Sequence, residues 1–228
     1  ASGRPTMRTL GVDQRQAARM RALERCVRVS EIPEGNPRGY FKLVRWGNDP
    51  ESPRAPVLVV AFGSAPGVPN WGGLLKKLEK NVKHGDTYDV LYVCDVERSW
   101  YVSNDASVDQ EVEFERWRAS LRDACAPYAR VLYVGDSMGA SASLMFAEHA
   151  TRVLAFCPQV DLYAASIRPS RSNVWFKRFK RKMTSALEKS SAIVDVHTGS
   201  WEHDTHQASL LPRNKVSHVV HPVDSHRL

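Results

Sequence analysis

The segment 135–139 constrains the fold of this chain more than any other part of its sequence, because two glycines flank Ser137 at two residues' distance on either side. An apolar run at 130–134, typical of a buried strand, precedes it, and small and apolar residues at 140–146, typical of a helix, follow it. A direct turn from strand into helix brings the backbone so close to itself that neither glycine position has room for a side chain. Ala140 keeps the next position small. We therefore expect a tight strand–serine–helix turn in which the Ser137 backbone is strained.

The glycine–x–serine–x–glycine pattern in this setting is typical of a nucleophile elbow, the turn that carries the reactive serine of serine hydrolases. Such a turn exposes the serine hydroxyl at the carboxyl end of the sheet, where the next helix directs free N–H groups at a forming oxyanion. We expect Ser137 to be a nucleophile and the N–H of Met138 to be one oxyanion donor. The second donor should come from the loop at 63–67, from Ser64 or Ala65, with Ser64 preferred. The alternative is that this segment is a simple connecting loop.

Strand-like and helix-like patterns alternate along the rest of the chain. The predicted strands are 40–46, 56–62, 90–95, 131–134, 152–157, 192–197 and 216–220; the predicted helices are 12–28, 71–82 with Asn70 as its cap, 108–126, and one from the elbow to His149. This alternation predicts an α/β fold, a mostly parallel sheet with helices on both faces, in which ligands bind at the carboxyl ends of the strands. We expect an N-terminal basic helix or arm at 1–38 and one domain at 39–228, with a short cap insertion at about 163–190.

A serine hydroxyl needs a base to accept its proton, and the base needs an acid to orient it. In a fold of this kind the chain order is serine, acid, histidine. The loop after the sixth predicted strand offers Asp204, with Glu202 as a close alternative, and the segment after the last strand offers His226 and His221. We favour His226, because His221 would still lie on the strand end, whereas His226 lies in a loop that can curl back over the sheet. The predicted triad is Ser137, Asp204 and His226.

Several further segments carry a resemblance. They are AFG at 61–63, DVERSWY at 95–101, GDSMGASASL at 135–144, FCPQVDL at 156–162, DTHQA at 204–208 and the terminal histidine loop. With them, the chain from residue 56 onward resembles the α/β-hydrolase superfamily, and within it the small bacterial hydrolases found alongside glycosyltransferases and surface-polysaccharide enzymes. The resemblance implies Ser137, Asp204 and His226 as nucleophile, acid and base. The chain departs from it at Ala140, where the family usually has a second glycine.

The resemblance also implies that Asp95, Arg98, Trp100 and Tyr101 border the site, as a sugar- or acyl-binding wall in which Arg98 holds an anionic group. The alternative is that the two aromatic residues pack over the sheet edge. The implied function is a serine esterase or deacylase that acts through an acyl-enzyme on a small ester or acylated sugar, with water or an acceptor alcohol resolving the intermediate. The alternative function is a hydrolase-like subunit with little or no catalysis that serves as a binding or structural module.

The positive charge of the chain is concentrated in one segment. The formal net charge is +7, and residues 168–182 hold seven of the 32 basic residues and no acid, which leaves 25 basic against 25 acidic residues elsewhere. Trp175, Phe176, Phe179 and Met183 recur there at helical spacing, which predicts a basic amphipathic helix. Its basic face is either simply solvated or binds an acidic protein, an anionic ligand or a lipid surface. Nucleic-acid binding is not expected from one basic helix without a recognised binding fold.

Three other features of the sequence limit the function. His203 and His206 are too few ligands for a metal site, and no cofactor or phosphate-binding motif is present, so we expect neither a metal nor a cofactor. No apolar run approaches the length needed to cross a bilayer. Cys94 and Cys157 fall in strand-like apolar runs, which favours free buried thiols and an intracellular, reducing compartment.

Overall fold

The structure is a computed structural model that describes residues 39–48, 51–67, 69–81, 87–95, 98–102, 109–165, 171–226 and 228. The predicted helix at 12–28 lies outside the described residues, as does part of the expected cap insertion, from 166 to 170.

In the described part of the chain seven strands form a single sheet, and they correspond to the seven that the sequence predicts. They are β1 (Gly39–Val44), β2 (Val57–Phe62), β3 (Tyr88–Asp95), β4 (Arg130–Asp136), β5 (Arg152–Phe156), β6 (Ile193–Thr198) and β7 (Ser217–Val220). Their order across the sheet is β1-β3-β2-β4-β5-β6-β7. β1 runs antiparallel to β3, and all the other neighbouring strands are parallel.

The central strands are apolar throughout because helices cover both of their faces. On β2, Leu58, Val60 and Phe62 point into the larger core, whereas Val59 and Ala61 point into the smaller core on the opposite face. All five are buried. Alternate side chains of one continuous apolar run therefore supply both cores, as expected for a strand in the middle of a parallel sheet.

Five α-helices lie in the described part of the chain. They are α1 (Gly72–Glu79), α2 (Gln110–Cys125), α3 (Met138–Met145), α4 (Asn173–Lys189) and α5 (Glu202–Ser209). The helix expected to reach His149 ends at Met145 and is followed by a 3₁₀ turn at Ala147–His149. The predicted cap of α1 was wrong. Trp71 occupies the cap position, because the Asn70 side chain instead donates a hydrogen bond to Asp136.

The basic amphipathic helix predicted from the sequence is α4. It buries five apolar side chains in the larger core: Trp175, Phe176, Phe179, Met183 and Leu187. Its other face exposes the basic residues Lys177, Arg178 and Arg181. The helix packs against α3, so it belongs to the helical layer on this face of the sheet. None of the helices in the described part of the chain combines the length and the apolar character that crossing a membrane requires.

Candidate active site

The turn between β4 and α3 has the geometry that its glycines demand. Ser137 lies between the two elements with φ 51° and ψ −115°, a conformation that a residue with a side chain rarely adopts. A Cβ atom at Gly135 would overlap the carbonyl oxygen of Gly139. A Cβ atom at Gly139 would lie 2.6 Å from the carbonyl oxygen of Phe62. Both positions therefore exclude every side chain, and the backbone at Ser137 is held in its strained conformation by the packing around it.

The elbow is tied to the loop at 63–67, which follows β2. The Asp136 carboxylate accepts a hydrogen bond of 2.6 Å from the Asn70 amide and another from the Ser64 hydroxyl. Burial raises the pKa of Asp136, and these hydrogen bonds partly offset that rise. Ser64 is 8% exposed. Met138 begins α3, so its backbone N–H has no acceptor within the helix.

A strained turn at 98–101 packs against this loop from the other side. Arg98, Trp100 and Tyr101 have φ values of 58°, 65° and 60°. The buried Asp95 carboxylate accepts hydrogen bonds from the backbone N–H groups of Ser99, at 2.6 Å, and Tyr101, at 2.8 Å. These charge-assisted bonds offset the cost of three left-handed residues.

The side chains of this turn do not form the expected substrate wall. Trp100 and Tyr101 are 2% and 0% exposed, because the left-handed turn directs their rings into the larger core. The Tyr101 hydroxyl donates a hydrogen bond of 2.9 Å to the carbonyl of Gly63, at the start of the loop that follows β2. Asp95 bonds to its own turn, and only the side chain of Arg98 is exposed. The sequence therefore identified a segment next to the site, but gave its residues the wrong surroundings.

Asp204 is fully buried and lies in the first turn of α5, not in a loop as predicted. The sequence analysis expected no helix in this segment, and Trp201 takes its cap position, two residues after Gly199. The competing acid, Glu202, points outward and is exposed. Asp204 accepts a hydrogen bond from the Cys157 thiol. Burial raises the pKa of Cys157 to about 12, and the negative charge of Asp204 and this hydrogen bond contribute to the rise.

His226 faces this carboxylate. Its Nδ1 atom lies 2.9 Å from each of the two Asp204 carboxylate oxygens, which leaves Nε2 on the far side of the ring. The imidazole side chain is 34% exposed, and the edge of the Trp201 ring packs against it at a centroid distance of 6.0 Å. His221 lies elsewhere, since its Nε2 atom is 3.0 Å from Nδ1 of His197. Of the two histidines that the sequence offered, the structure brings His226 to Asp204.

The loop that carries His226 is fastened to the end of β6 through the backbone. The N–H of Ser200 donates to the carbonyl of Val223 at 2.9 Å, and the N–H of His221 donates to the carbonyl of Thr198 at 2.8 Å. A Cβ atom at Gly199 would overlap the carbonyl oxygens of Val223 and Ser225. Gly199 is therefore required for the close approach of the loop, a role that its position in the sequence did not indicate.

Ser137, Asp204 and His226 follow the ends of β4, β6 and β7, at the edge of a parallel sheet where ligands bind. The pKa of Asp136 is raised by burial, and electrostatic interaction with His226 opposes that rise only slightly. Among the described residues, no hydrogen bond joins the Ser137 hydroxyl to the His226 ring. The structure thus joins Asp204 directly to His226, and both side chains follow strand ends on the same side of the sheet as Ser137.

Two buried glutamines to which the sequence assigned no role hold the segments around Asp204. The Gln207 side chain accepts hydrogen bonds of 2.7 Å from the backbone N–H groups of Val160 and Asp161, which locks α5 to the segment after β5. Gln159 is 4% exposed, and its side-chain oxygen lies 2.9 Å from Nε2 of His203. Both glutamines lie in segments that carry the resemblance, Gln159 in FCPQVDL and Gln207 in DTHQA, and these were the sequence signals that pointed here.

Comparisons with known proteins establish the fold. No protein-family model matches the sequence, and no curated protein matches it. Among solved structures, Est1E from Butyrivibrio proteoclasticus matches with 10% identity over 82% of this chain and 86% of that chain, with a TM-score of 0.52. Est1E with bound ferulic acid matches with 10% identity over 80% and 85%, with a TM-score of 0.50. An α/β serine hydrolase homologue from Coxiella burnetii matches with 14% identity over 85% of each chain, with a TM-score of 0.48.

At these identities the likeness describes the fold. The two Est1E structures share this fold over about four fifths of the chain, and the predicted fold class, a mostly parallel sheet with helices on both faces, is confirmed.

Proposed function

We propose that this chain is a serine hydrolase that cleaves small carboxylic esters through an acyl-enzyme. The observation that carries the proposal is the 2.9 Å pairing of His226 Nδ1 with the buried Asp204 carboxylate, on the sheet edge where Ser137 stands in its strained turn. The alternative of an inactive hydrolase-like module is not favoured, because the structural neighbours are hydrolases and a buried acid–histidine pair has no evident purpose in a module of that kind.

In the proposed reaction the Ser137 hydroxyl attacks the ester carbonyl while Nε2 of His226 accepts its proton. Asp204 accepts the hydrogen bond from Nδ1–H, which fixes the tautomer with a free Nε2 lone pair and stabilises the imidazolium that forms. Catalytic hydrogen bonds often tighten only when substrate binds, so we propose that the bond between Ser137 and His226 forms in that complex.

The tetrahedral oxyanion is stabilised by the backbone N–H groups of Met138 and Ser64 in this proposal. Its support is the N-terminal position of Met138 in α3 and the hydrogen bond between Ser64 and Asp136, which holds the loop against the elbow. Collapse of the intermediate expels the alcohol, which takes the proton from His226. Water or an acceptor alcohol then resolves the acyl-enzyme by the same steps in reverse.

The proposed substrate is a small ester or an acylated sugar, which follows from the resemblance to hydrolases found alongside glycosyltransferases. Hydrolysis of p-nitrophenyl acetate and of acetylated monosaccharides tests this directly, with Ser137→Ala as the inactive variant. Ser209→Ala is the matched control, because Ser209 is an exposed serine at the end of α5. Turnover by wild type and Ser209→Ala but not by Ser137→Ala supports the proposal. Equal turnover by Ser137→Ala overturns it.

We further propose that the basic face of α4 binds an acidic partner. Arg171 and Arg178 line a groove of about 420 Å³ with Ser172 and Trp175 at the start of α4, and Lys177 and Arg181 continue the basic surface along the helix. The double variant Arg178→Glu/Arg181→Glu should lose salt-sensitive binding to a poly-glutamate column, whereas Lys76→Glu/Lys77→Glu on the exposed face of α1 should not. Equal retention of the two variants on the column would contradict this proposal. If the wild-type protein bound only anionic vesicles, and not poly-glutamate, the partner would be a lipid surface.

A further inference from the structure

Three donor groups of different chemistry meet behind the proposed base. The Sγ atom of Cys157, a carboxylate oxygen of Asp204 and a ring nitrogen of His226 all lie within 4.8 Å of one another. They come from three separate parts of the chain: the end of β5, the first turn of α5 and the terminal loop. This is why no ligand spacing is visible in the sequence.

The backbone at Cys157 directs the thiol into this cluster. Cys157 follows β5 as Ser137 follows the neighbouring β4, and its φ of 48° matches the 51° of the serine. Each residue donates its N–H to the next strand, Ser137 to the carbonyl of Phe156 and Cys157 to the carbonyl of His197, both at 2.8 Å. A left-handed conformation at a residue with a side chain costs energy and marks a constrained position.

We propose that Cys157, Asp204 and His226 form a site for a thiophilic divalent ion such as Zn²⁺, and that occupation of this site switches off the proposed hydrolase. Thiolate, carboxylate and imidazole are the ligands that Zn²⁺ binds in proteins. In a tetrahedral zinc site the ligand atoms lie about 3.5 Å apart, so the three donors need to move by about 1 Å or less. Cys157 and Asp204 are 1% and 0% exposed, while His226, 34% exposed, offers the entry path and an open position for a water ligand.

The inhibition follows from the tautomer of His226, and it rests on the proposed function. In the proposed triad the proton of the neutral ring is on Nδ1 and the lone pair of Nε2 accepts the serine proton. An ion bound between Asp204 and the ring takes the Nδ1 lone pair, so the ring proton moves to Nε2. The Cys157 thiol releases its proton to solvent and binds as the thiolate. With Nε2 protonated, His226 has no lone pair left for the Ser137 proton.

The test uses Zn²⁺ and a fluorophosphonate probe on metal-free wild-type protein and on Cys157→Ser. In Cys157→Ser the hydroxyl still donates a hydrogen bond to Asp204, but the soft sulfur ligand is lost. Cys125→Ser is the matched control, because Cys125 is another buried free thiol, located beside Tyr133. We expect Zn²⁺ to slow wild-type and Cys125→Ser labelling at least about tenfold, reversibly with a chelator, and Cys157→Ser to need at least about tenfold more Zn²⁺. Equal Zn²⁺ sensitivity of Cys157→Ser would overturn the site.

Co²⁺ provides a measurement that does not depend on catalysis. Its binding to wild-type protein should produce a thiolate-to-cobalt charge-transfer absorption that persists in Cys125→Ser and vanishes in both Cys157→Ser and Cys157→Ala. A wild-type spectrum without this band overturns the metal site whatever the labelling shows. Metal-free wild-type protein that shows the band but does not label would instead leave the site standing and refute the proposed hydrolase, and with it the inhibition.

Discussion

The elbow and the terminal histidine loop are the two halves of the candidate site, and they are held in different ways. At the elbow, Gly135 has no room for a side chain because of the Gly139 backbone in the same turn, and Gly139 has none because of the Phe62 carbonyl on the neighbouring β2, and both requirements show as glycines within five residues. The loop at 221–226 is held by residues that are distant in the chain: backbone contacts with Gly199 and the pairing of His226 with Asp204. The turn of the proposed nucleophile therefore has a local sequence signature, whereas the proposed base is positioned by contacts that leave no such signature.

Because the two halves are held differently, we expect changes in them to affect stability and activity to different extents. The elbow is embedded in the larger core, where Met138 and Ala140 are buried beside Phe62, so a change there disturbs both the fold and the site. The histidine loop lies at the sheet edge, where every residue of β7 is exposed. A change in the loop should therefore remove activity and leave most of the stability.

The largest combined effect is expected for Gly139→Ala. Its Cβ atom would lie 2.6 Å from the carbonyl oxygen of Phe62, in backbone that cannot yield without moving β2. We expect esterase activity to fall to the level of Ser137→Ala and the free energy of unfolding to fall by about 3 kcal/mol. Denaturant unfolding and the ester assay measure both. The control is Gly73→Ala on α1, where a Cβ atom meets nothing within 4 Å and should be neutral or stabilising by about 1 kcal/mol. Wild-type activity in Gly139→Ala would contradict the steric account.

Asp204→Asn should inactivate the other half of the candidate site, the Asp204–His226 pair, with little change in the shape of the side chain. The amide no longer favours the tautomer with a proton on Nδ1, so we expect kcat to fall by about 10⁴-fold, the size seen when a triad aspartate is replaced by asparagine. Glu202→Gln is its control, two residues earlier and exposed, and should leave kcat unchanged. If the two variants lost activity equally, the acid would be misassigned.

Gly199→Ala sharpens the comparison because it displaces the loop without touching a proposed triad residue. Its Cβ atom would overlap the carbonyl oxygens of Val223 and Ser225, and a shift of His226 by about 1 Å should lower kcat by about 10²-fold. The melting temperature should fall much less than in Gly139→Ala. A loss of stability as large as that of Gly139→Ala would show that the two halves are not held differently.

The smallest effect is expected for Tyr101→Phe, which removes the hydroxyl that bonds to the carbonyls of Gly63 and Val93. Loss of one such hydrogen bond destabilises the protein by about 1 kcal/mol, and loosening the loop that carries the proposed oxyanion donor Ser64 should lower kcat about fivefold with KM unchanged. Tyr133→Phe, a buried tyrosine whose hydroxyl lies 3.5 Å from the Cys125 sulfur, should cost similar stability and leave kcat unchanged. Parallel losses of kcat in both variants would assign Tyr101 a purely structural role.

The parts of this molecule that the sequence predicted are those governed by local patterns. The apolar run at 56–62 and the spacing of Gly135 and Gly139 each follow from rules that act within a few residues, and the strand and the turn are present as expected. The buried Trp100 and the role of Asp95 were not predictable, because they depend on a left-handed turn that closes around one carboxylate.

Other features missed from the sequence depend on contacts between distant segments. Asn70 is a residue type that often caps helices, but its side-chain amide donates instead to Asp136, which lies 66 residues further along the chain. The sequence predicts Cys157 as a buried strand residue. Its thiol lies beside Asp204 and His226 because the segments after three neighbouring strands come together in the fold. Local steric rules therefore predicted the turn at Ser137 more completely than the surroundings of Asp204 and His226.

The central claim is that Ser137 is an activated nucleophile, and labelling with a fluorophosphonate followed by mass spectrometry of the adduct tests it most directly. Wild-type protein and Ser137→Ala are compared under conditions in which both are folded by circular dichroism. The account predicts a single phosphonylated residue, Ser137, in the wild-type protein and no adduct in the variant. A folded, metal-free wild-type protein that stays unlabelled, or an adduct that persists in Ser137→Ala, would contradict it.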